Sequence, residues 1–374
     1  MPEPVDRPIE WAMPRALALG DAVRRTTAPN PWVGCVLVRD GEIVGEGSTA
    51  APGGPHAEAT ALSAAGDEAR GATAFVTLEP CSHQGRTGPC ADALIDAGVS
   101  RVVVALEDPD DNVRGRGIER LRAHGVRVEV GFGADVARRS LAPYLHHRRT
   151  GRAYCLVKTA LSLDGRTAAA DGSSRWITGP AARADAHELR ADSQAIVVGA
   201  GTAVADRPAL TVRDAPVVRP PMRVVLDARG RVAGDGPLFD VALAPTLVLT
   251  TEAARAGAVD DWCSAGAKVE VLPRSGGGVD LVAALETLGN HGVLQAMIEG
   301  GPTLHGALFQ QGLVDRIVVY VAPTVLGRDA RPGFEWPGPS TITDATRWRL
   351  TGARQLDDDV RLDYEPTDEK VMAG

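Results

Sequence analysis

Two successive series of short apolar runs, separated by one basic stretch, constrain the fold of this chain more than any other feature. The first series comprises 33–38, 43–45, 74–78 and 102–105; the second restarts at Ala153 and comprises 153–158, 195–198, 223–226, 246–249, 296–298 and 317–321. Runs this short, bounded by turn residues, are strands; runs apolar along their length, rather than alternating, are strands covered on both faces. Helix-compatible stretches lie between them at 57–65, 91–97, 181–191, 281–288 and 303–311. The alternation predicts α/β architecture in both halves, with a mostly parallel sheet in the second. Asp40-Gly41 predicts a tight hairpin, and apolar residues at helical spacing over 9–25 predict an opening helix that ends at the Thr26 to Pro31 break. Pro89-Cys90 opens the 91–97 helix and Gly98 closes it, and 121–130 adds one more passage from helix to strand. The stretch 143–151, rich in His and Arg, reads as a linker, which places the domains at 1–148 and 149–374. At 374 residues the chain is roughly two to three times the usual domain size, so each half can bury its own core.

Composition then removes whole classes of function. A net charge of −8 with aromatics at 4% leaves neither a broad basic surface nor stacking platforms, so no nucleic-acid partner is expected. No apolar stretch reaches 18 residues and no signal segment opens the chain, which predicts a cytoplasmic protein without membrane contact. Five cysteines in such a chain are reduced thiols, free to ligate a metal; Cys35, Cys155 and Cys263 read as small buried hydrophobes. Of the 40 basic residues, the lysines are Lys158, Lys268 and Lys370 alone.

His56-Ala57-Glu58 stands at a loop-to-helix junction, and Pro80-Cys81 and Pro89-Cys90 follow a strand. One imidazole and two thiolates are three ligands of a tetrahedral Zn²⁺ with the fourth position open, the pattern of a catalytic site. Glu58, two residues past the histidine, can shuttle protons between the activated water and the leaving ammonia. This is the chemistry of zinc-dependent nucleobase deaminases, although eight residues rather than two separate Cys81 from Cys90.

In the second half, Lys158 ends an apolar strand beside a turn, and a buried ammonium there needs a partner. Ile298-Glu299-Gly300-Gly301-Pro302-Thr303 is a strand ending in a carboxylate, then glycines, then a helix start. Amides at such a helix start can approach a nucleotide phosphate closely. Gly199-Ala200-Gly201 lacks the third glycine of a dinucleotide fingerprint, which argues against a Rossmann domain.

The run Leu78 to Cys90, with Asn30-Pro31-Trp32-Val33-Gly34 and Gly53-Gly54-Pro55-His56-Ala57-Glu58, resembles the deaminase half of the bifunctional riboflavin-biosynthesis deaminase-reductases. Segments 162–166, 176–178, 187–191, 198–202, 208–213, 299–304 and 314–316 resemble the reductase half, so the likeness spans roughly Ile9 to Tyr364. It implies a cytidine-deaminase-like α/β/α domain followed by a dihydrofolate-reductase-like α/β domain. It also implies hydrolytic deamination of a diaminopyrimidine ribosylamino 5′-phosphate, then NADPH-dependent reduction of the ribosyl chain, in a homodimer or higher homo-oligomer. Carried over by residue, Glu58 is catalytic, His56, Cys81 and Cys90 hold zinc, and Asn30, His83 and Arg86 contact the deaminase substrate. Ala160, Trp176, Thr202, Asp206 and the run Gly301, Pro302, Thr303, Leu304, His305, Gly306 and Ala307 line the NADPH site. Ser174, Arg190, Leu210, Arg213 and Glu299 hold the reductase substrate, and Lys158 and Asp206 are candidate proton donors. Thr49 stands where many members carry histidine, and with Gly88 it motivates the alternative of a paralogue in another pyrimidine- or pteridine-derived pathway. A ligand-binding homologue without catalysis is the other alternative, against which the intact set of His56, Glu58, Cys81 and Cys90 speaks.

Overall fold

The computed structural model describes residues 11–83 and 88–367; Arg86 lies outside them. The chain divides into two compact units, Met1–Gly151 and Arg152–Gly374.

The first unit runs α1 (Ala12–Ala22), β1 (Gly34–Arg39), β2 (Glu42–Ser48), α2 (Ala57–Ala65), β3 (Thr73–Val76), α3 (Cys90–Asp96), β4 (Arg101–Val104), α4 (Arg116–Ala123), β5 (Arg127–Val130), α5 (Ala134–Ser140) and α6 (Ala142–Thr150). Its sheet has the order β2-β1-β3-β4-β5. β1 is antiparallel to both β2 and β3, whereas β3, β4 and β5 are parallel. The Asp40-Gly41 turn has φ of 53° and 83°, the left-handed pair that matches the twist of a two-residue hairpin. Helix α2 lies directly on β2, since a Cβ on Gly47 would meet the Ala57 carbonyl oxygen at 2.2 Å. That contact fixes the start of α2 against the sheet.

The segment 143–151 is helical rather than a linker. Pro143 starts the helix in its first turn, Leu141, Tyr144 and Leu145 are buried, and the basic residues fall in the last turn, where they suit the helix dipole. Its polar composition hides those apolar anchors. The Tyr144 hydroxyl donates to Asp108 at 3.0 Å, tying α6 into the first unit.

The second unit contains β6 (Tyr154–Ser162), β7 (Arg166–Ala168), α7 (Pro180–Ala191), β8 (Ala195–Gly199), α8 (Ala200–Asp206), β9 (Met222–Leu226), β10 (Thr246–Thr250), α9 (Ala258–Ser264) and β11 (Lys268–Val271). There follow β12 (Arg274–Ser275), β13 (Gly278–Val279), α10 (Leu281–Asn290), β14 (Gln295–Ile298), α11 (Pro302–Gln310), β15 (Arg316–Ala322), β16 (Arg331–Pro332), β17 (Trp348–Leu356) and β18 (Asp359–Pro366). The main sheet has the order β11-β10-β9-β8-β14-β6-β15-β18-β17. Strands β11 through β15 are mutually parallel, and β18 and β17 add an antiparallel edge. Both faces are covered: Ala195 and Val197 enter one apolar cluster, Ile196 and Val198 another. Cys35 and Cys155 are buried as expected, but Cys263 is exposed on α9, because its neighbour Trp262 takes the inward position.

Candidate active sites

His56 is the residue that caps α2, with extended φ −77° and ψ 165°, and this places Glu58 in the first helical turn. Cys90 is the first residue of α3. Cys81 comes from the segment after β3, so three separate elements converge. His56 Nδ1 lies 3.6 Å from Cys81 Sγ and 3.3 Å from Cys90 Sγ, and the Cys90 amide donates to Cys81 Sγ at 3.4 Å. All three ligand atoms fall within 4.8 Å of one another, and they group as a metal site.

The electrostatics of the trio suit a cation. The Cys90 thiol and His56 bond to the Cys81 sulfur and hold its pKa down at about 4, against the opposing effect of burial. That negative sulfur, with burial, pushes Cys90 far up, so the pair holds one proton until a cation replaces it. Glu58 is 3% exposed, and burial, then the charge on Cys81, pushes its carboxyl up to about 7. A carboxyl poised there can both accept and return a proton near neutral pH. Two sulfurs and one imidazole fit Zn²⁺ and not a hard oxygen-seeking cation. Because Cys90 must lose its proton, zinc affinity falls as pH falls from 8 to 6, with proton release on binding. Chelator competition across that range measures it; a flat profile would remove Cys90 from the ligand set.

Asn30 is half-buried and His83 exposed, beside the segment 84–87. Thr49 is buried, and its hydroxyl accepts from the Val33 amide at 3.1 Å, joining the end of β2 to the start of β1. Its role in this chain is thus architectural.

In the second unit the neighbouring parallel strands β8 and β14 both lead into helices, β8 directly and β14 through residues 299–301. Gly199 precedes α8 and Gly301 precedes α11, each extended and neither offering a side-chain cap to the amides of the first turn. The two helix starts adjoin: a Cβ on Gly301 would stand 3.2 Å from Thr202 Oγ1, and one on Gly300 3.2 Å from the Gly199 amide nitrogen. Pro302 has no N–H and the Leu304 and His305 amides donate to the Gly301 carbonyl, so α11 contributes the Thr303 amide, which with the start of the adjacent α8 fits a pyrophosphate. Gly301→Val should therefore raise the NADPH dissociation constant about tenfold or more by obstructing backbone approach, with ammonia release unchanged. Fluorescence titration reads the first, and unaltered NADPH affinity would move the phosphates elsewhere.

A charge cluster lies beside this cradle. Glu299 follows β14, whose Ile298 pairs with Val157 of β6, one residue before Lys158. Arg190 of α7 grips Glu299 with both arms, Nε to Oε1 at 2.5 Å and Nη2 to Oε2 at 2.8 Å, and its Nη1 donates to the Thr211 carbonyl at 2.8 Å. Burial opposes ionisation of Glu299, but Arg190, Lys158 and His187 outweigh it and bring the carboxyl to about 2. Burial pulls Lys158 below the usual ammonium range while Glu299 holds it up. His187, to which the sequence alone gives no role, accepts the Arg213 amide at its Nδ1 at 3.1 Å. Its signal was the spacing to Arg190, three residues along one helix face.

The other expected residues are dispersed. Trp176 is 65% exposed under the Arg183 guanidinium at 4.5 Å, in the same β7–α7 loop as half-buried Ser174. Leu210 has its side chain in the core at φ 49°, so only its main chain can face a ligand. Within 301–307, Thr303 bonds Glu335 at 3.0 Å and Gly306 sits against the Glu335 carbonyl, 2.1 Å from a built Cβ; His305 is buried beside Phe334. Ala160 is half-buried in β6, and Asp206 closes α8 with its carbonyl bonded by Arg175 at 3.0 Å.

Burial, then neighbouring arginines, depress His187 to about 4, and burial depresses His305 likewise to about 4. Both titrate lower in the fold than the ordinary 6.5, so the unfolded chain binds more protons between those values and stability is lost as pH falls from about 6.5 toward 4. His305→Leu should narrow the difference between urea midpoints at pH 7 and pH 4.5; an unchanged difference would exclude His305 as a source.

Comparison with known proteins follows this division. Residues 7–106 match the cytidine and deoxycytidylate deaminase zinc-binding region, and residues 153–362 match the RibD C-terminal domain. Riboflavin biosynthesis protein RibD of Escherichia coli K12 is 44% identical over 94% of this chain and 98% of its own, and that of Chlamydia trachomatis is 43% identical over 94% of each. Among solved structures, Acinetobacter baumannii RibD, form 1, superposes with a TM-score of 0.87 at 39% identity, covering 96% of this chain and 99% of its own. A Thermotoga maritima diaminohydroxyphosphoribosylaminopyrimidine deaminase/5-amino-6-(5-phosphoribosylamino)uracil reductase does so at 0.84 and 30%, with the same coverage. Among the described residues no helix is long and apolar enough to cross a membrane.

Proposed function

The chain belongs to the RibD family of bifunctional deaminase-reductases of riboflavin biosynthesis, and from that premise we propose how its residues divide the two reactions. The observation that carries the reading is the convergence of His56, Cys81 and Cys90, from three segments, within 4.8 Å beside a buried Glu58. The first unit hydrolyses the exocyclic amine of the diaminopyrimidine ribosylamino 5′-phosphate. His56, Cys81 and Cys90 would hold Zn²⁺, which would supply the Lewis acidity that makes a water nucleophilic at neutral pH. Glu58 takes one proton of the added water and passes it to the ring nitrogen, then takes the second proton of that water and passes it to the departing amine, so that ammonia leaves and the carboxylate is restored. Asn30, His83 and Arg86 hold the pyrimidine and its ribose phosphate.

The second unit reduces the deaminated product. When bound, NADPH would supply the hydride that reduces C1 of the opened ribosyl group to ribityl. Thr202 and the first turn after Gly301 would hold the pyrophosphate of NADPH, and Ala160 and Trp176 would line the same cofactor site. Of the two candidate proton donors, Lys158 belongs to the half-buried charge cluster with Glu299 and Arg190, whereas Asp206 ends α8 one helix length from its start; Lys158 is therefore assigned the proton. Ser174, Arg190, Arg213 and the main chain at Leu210 hold the substrate, with Glu299 fixing Arg190 and Lys158. The enzyme acts in the cytoplasm, as a homodimer or higher homo-oligomer by its family resemblance.

One zinc per chain is the first expected result. Cys90→Ser should lower zinc content several-fold and abolish ammonia release together, by elemental analysis and an ammonia assay; undiminished zinc would overturn the ligand set.

A further inference from the structure

The three ligands are not held alike. His56 caps α2 and Cys90 begins α3, so helices orient both; Cys81 lies in neither helix nor strand. Its position depends on what anchors the chain just before it. Glu79, two residues upstream, is 4% exposed, and its carboxylate meets no cation within salt-bridge distance among the described residues. It accepts four backbone amides instead. Oε1 takes Gly117 at 2.9 Å and Ile118 at 3.2 Å, both in the first turn of α4. Oε2 takes Gly115 at 2.9 Å and Asp108 at 3.2 Å. The Glu79 amide itself donates to the Leu106 carbonyl at 2.9 Å.

Pro80, between Glu79 and the ligand, is gripped from the same side. A Cβ on Gly117 would stand 1.9 Å from the Pro80 carbonyl oxygen, so the α4 backbone rests directly on it. From Cys81 onward the tie passes to α3, through Ala91 N–H to Cys81 O at 3.1 Å and Cys90 N–H to Cys81 Sγ at 3.4 Å. We infer that Glu79 is the positioning residue of the metal site: its carboxylate binds the start of α4 and the loop after β4 to residues 79–80, and thereby sets Cys81 Sγ within reach of His56 and Cys90. A carboxylate suits the task because its two oxygens serve four amides at once, with charge-assisted bonds. An amide in its place keeps the size but turns an NH₂ group toward two of those donors.

The inference rests on His56, Cys81 and Cys90 being the zinc ligands, and the test separates the two. The full chain is stripped of metal and titrated with Co²⁺, whose thiolate charge-transfer absorption counts bound sulfurs, and Zn²⁺ affinity is measured by chelator competition. Glu79→Gln and Gly117→Ala, which disturb the anchor from its two sides, should each weaken Zn²⁺ binding about 10–100-fold and lose the intensity of one thiolate. Leu121→Ala, a cavity in the buried face of the same helix, lowers the melting temperature but should leave affinity and absorption at wild-type values. NADPH affinity of the second unit should be unchanged in all three. Wild-type affinity and spectrum in both anchor variants, or an equal loss in Leu121→Ala, would overturn the role of Glu79. If Glu79→Gln does not fold, Gly117→Ala decides by the same criteria. A wild-type chain that takes up no Co²⁺ would overturn the ligand assignment itself.

Discussion

Glu58→Gln should abolish ammonia release while leaving zinc content and the reduction of already deaminated substrate intact. The side chain keeps its volume, so the buried site stays filled, but the group that titrates near neutrality is gone. General acid–base assistance of this kind contributes about 10²–10⁴-fold, and Glu58 serves as both base and acid in one turnover, so the loss belongs at the upper end. Glu58 interacts with Cys90, Cys81 and His56 without joining them as a ligand, and zinc should remain bound. The cradle and charge cluster proposed for reduction lie in the other compact unit and share no side chain with this step. Ammonia release within threefold of wild type would remove Glu58 from the chemistry.

Glu299→Ala should have the largest effect on stability. Its carboxylate is the partner of Arg190 at 2.5 and 2.8 Å, with both side chains less than a fifth exposed, and it also offsets the burial of Lys158. Removing one member of such a pair strands a buried charge and costs about 3–5 kcal/mol. Urea unfolding of the second unit should shift by that amount and reduction should be lost, with zinc content and ammonia release preserved. Glu299→Gln should cost less, since one oxygen still accepts from Arg190. A shift below about 1 kcal/mol in Glu299→Ala would mean the pair is solvated and worth no more than a surface bridge.

The convergence of His56, Cys81 and Cys90 was legible in sequence because each is a rare residue type at a helix start or after a proline, where local rules fix direction. The parallel sheet of the second unit was legible for a similar reason: strands buried on both faces are continuous apolar runs. What stayed hidden depends on partners without a side-chain signature. Glu79 looked like part of a motif and no more, because it bonds amides at 108, 115, 117 and 118. The edge hairpin β17–β18 is half-exposed and charged, so it lacks the apolar run that marks the inner strands. Helix α6 was masked by His and Arg, although Tyr144 and Leu145 anchor it. The inward placement of His305 and Gly306 against 333–336 is a packing outcome that no local pattern encodes.

In the proposed division of labour, one chain deaminates at the His56, Cys81 and Cys90 site and reduces at the cradle formed by α8 and α11. The most direct test follows ammonia release and NADPH oxidation together, with the diaminopyrimidine ribosylamino 5′-phosphate as substrate, before and after zinc is removed by a chelator. Zinc-loaded protein should release one ammonia for each NADPH oxidised. Zinc-free protein should do neither with this substrate, yet oxidise NADPH at the wild-type rate when given the deaminated pyrimidine. Full ammonia release without zinc, or failure of the zinc-free protein to reduce the deaminated compound, would contradict the account.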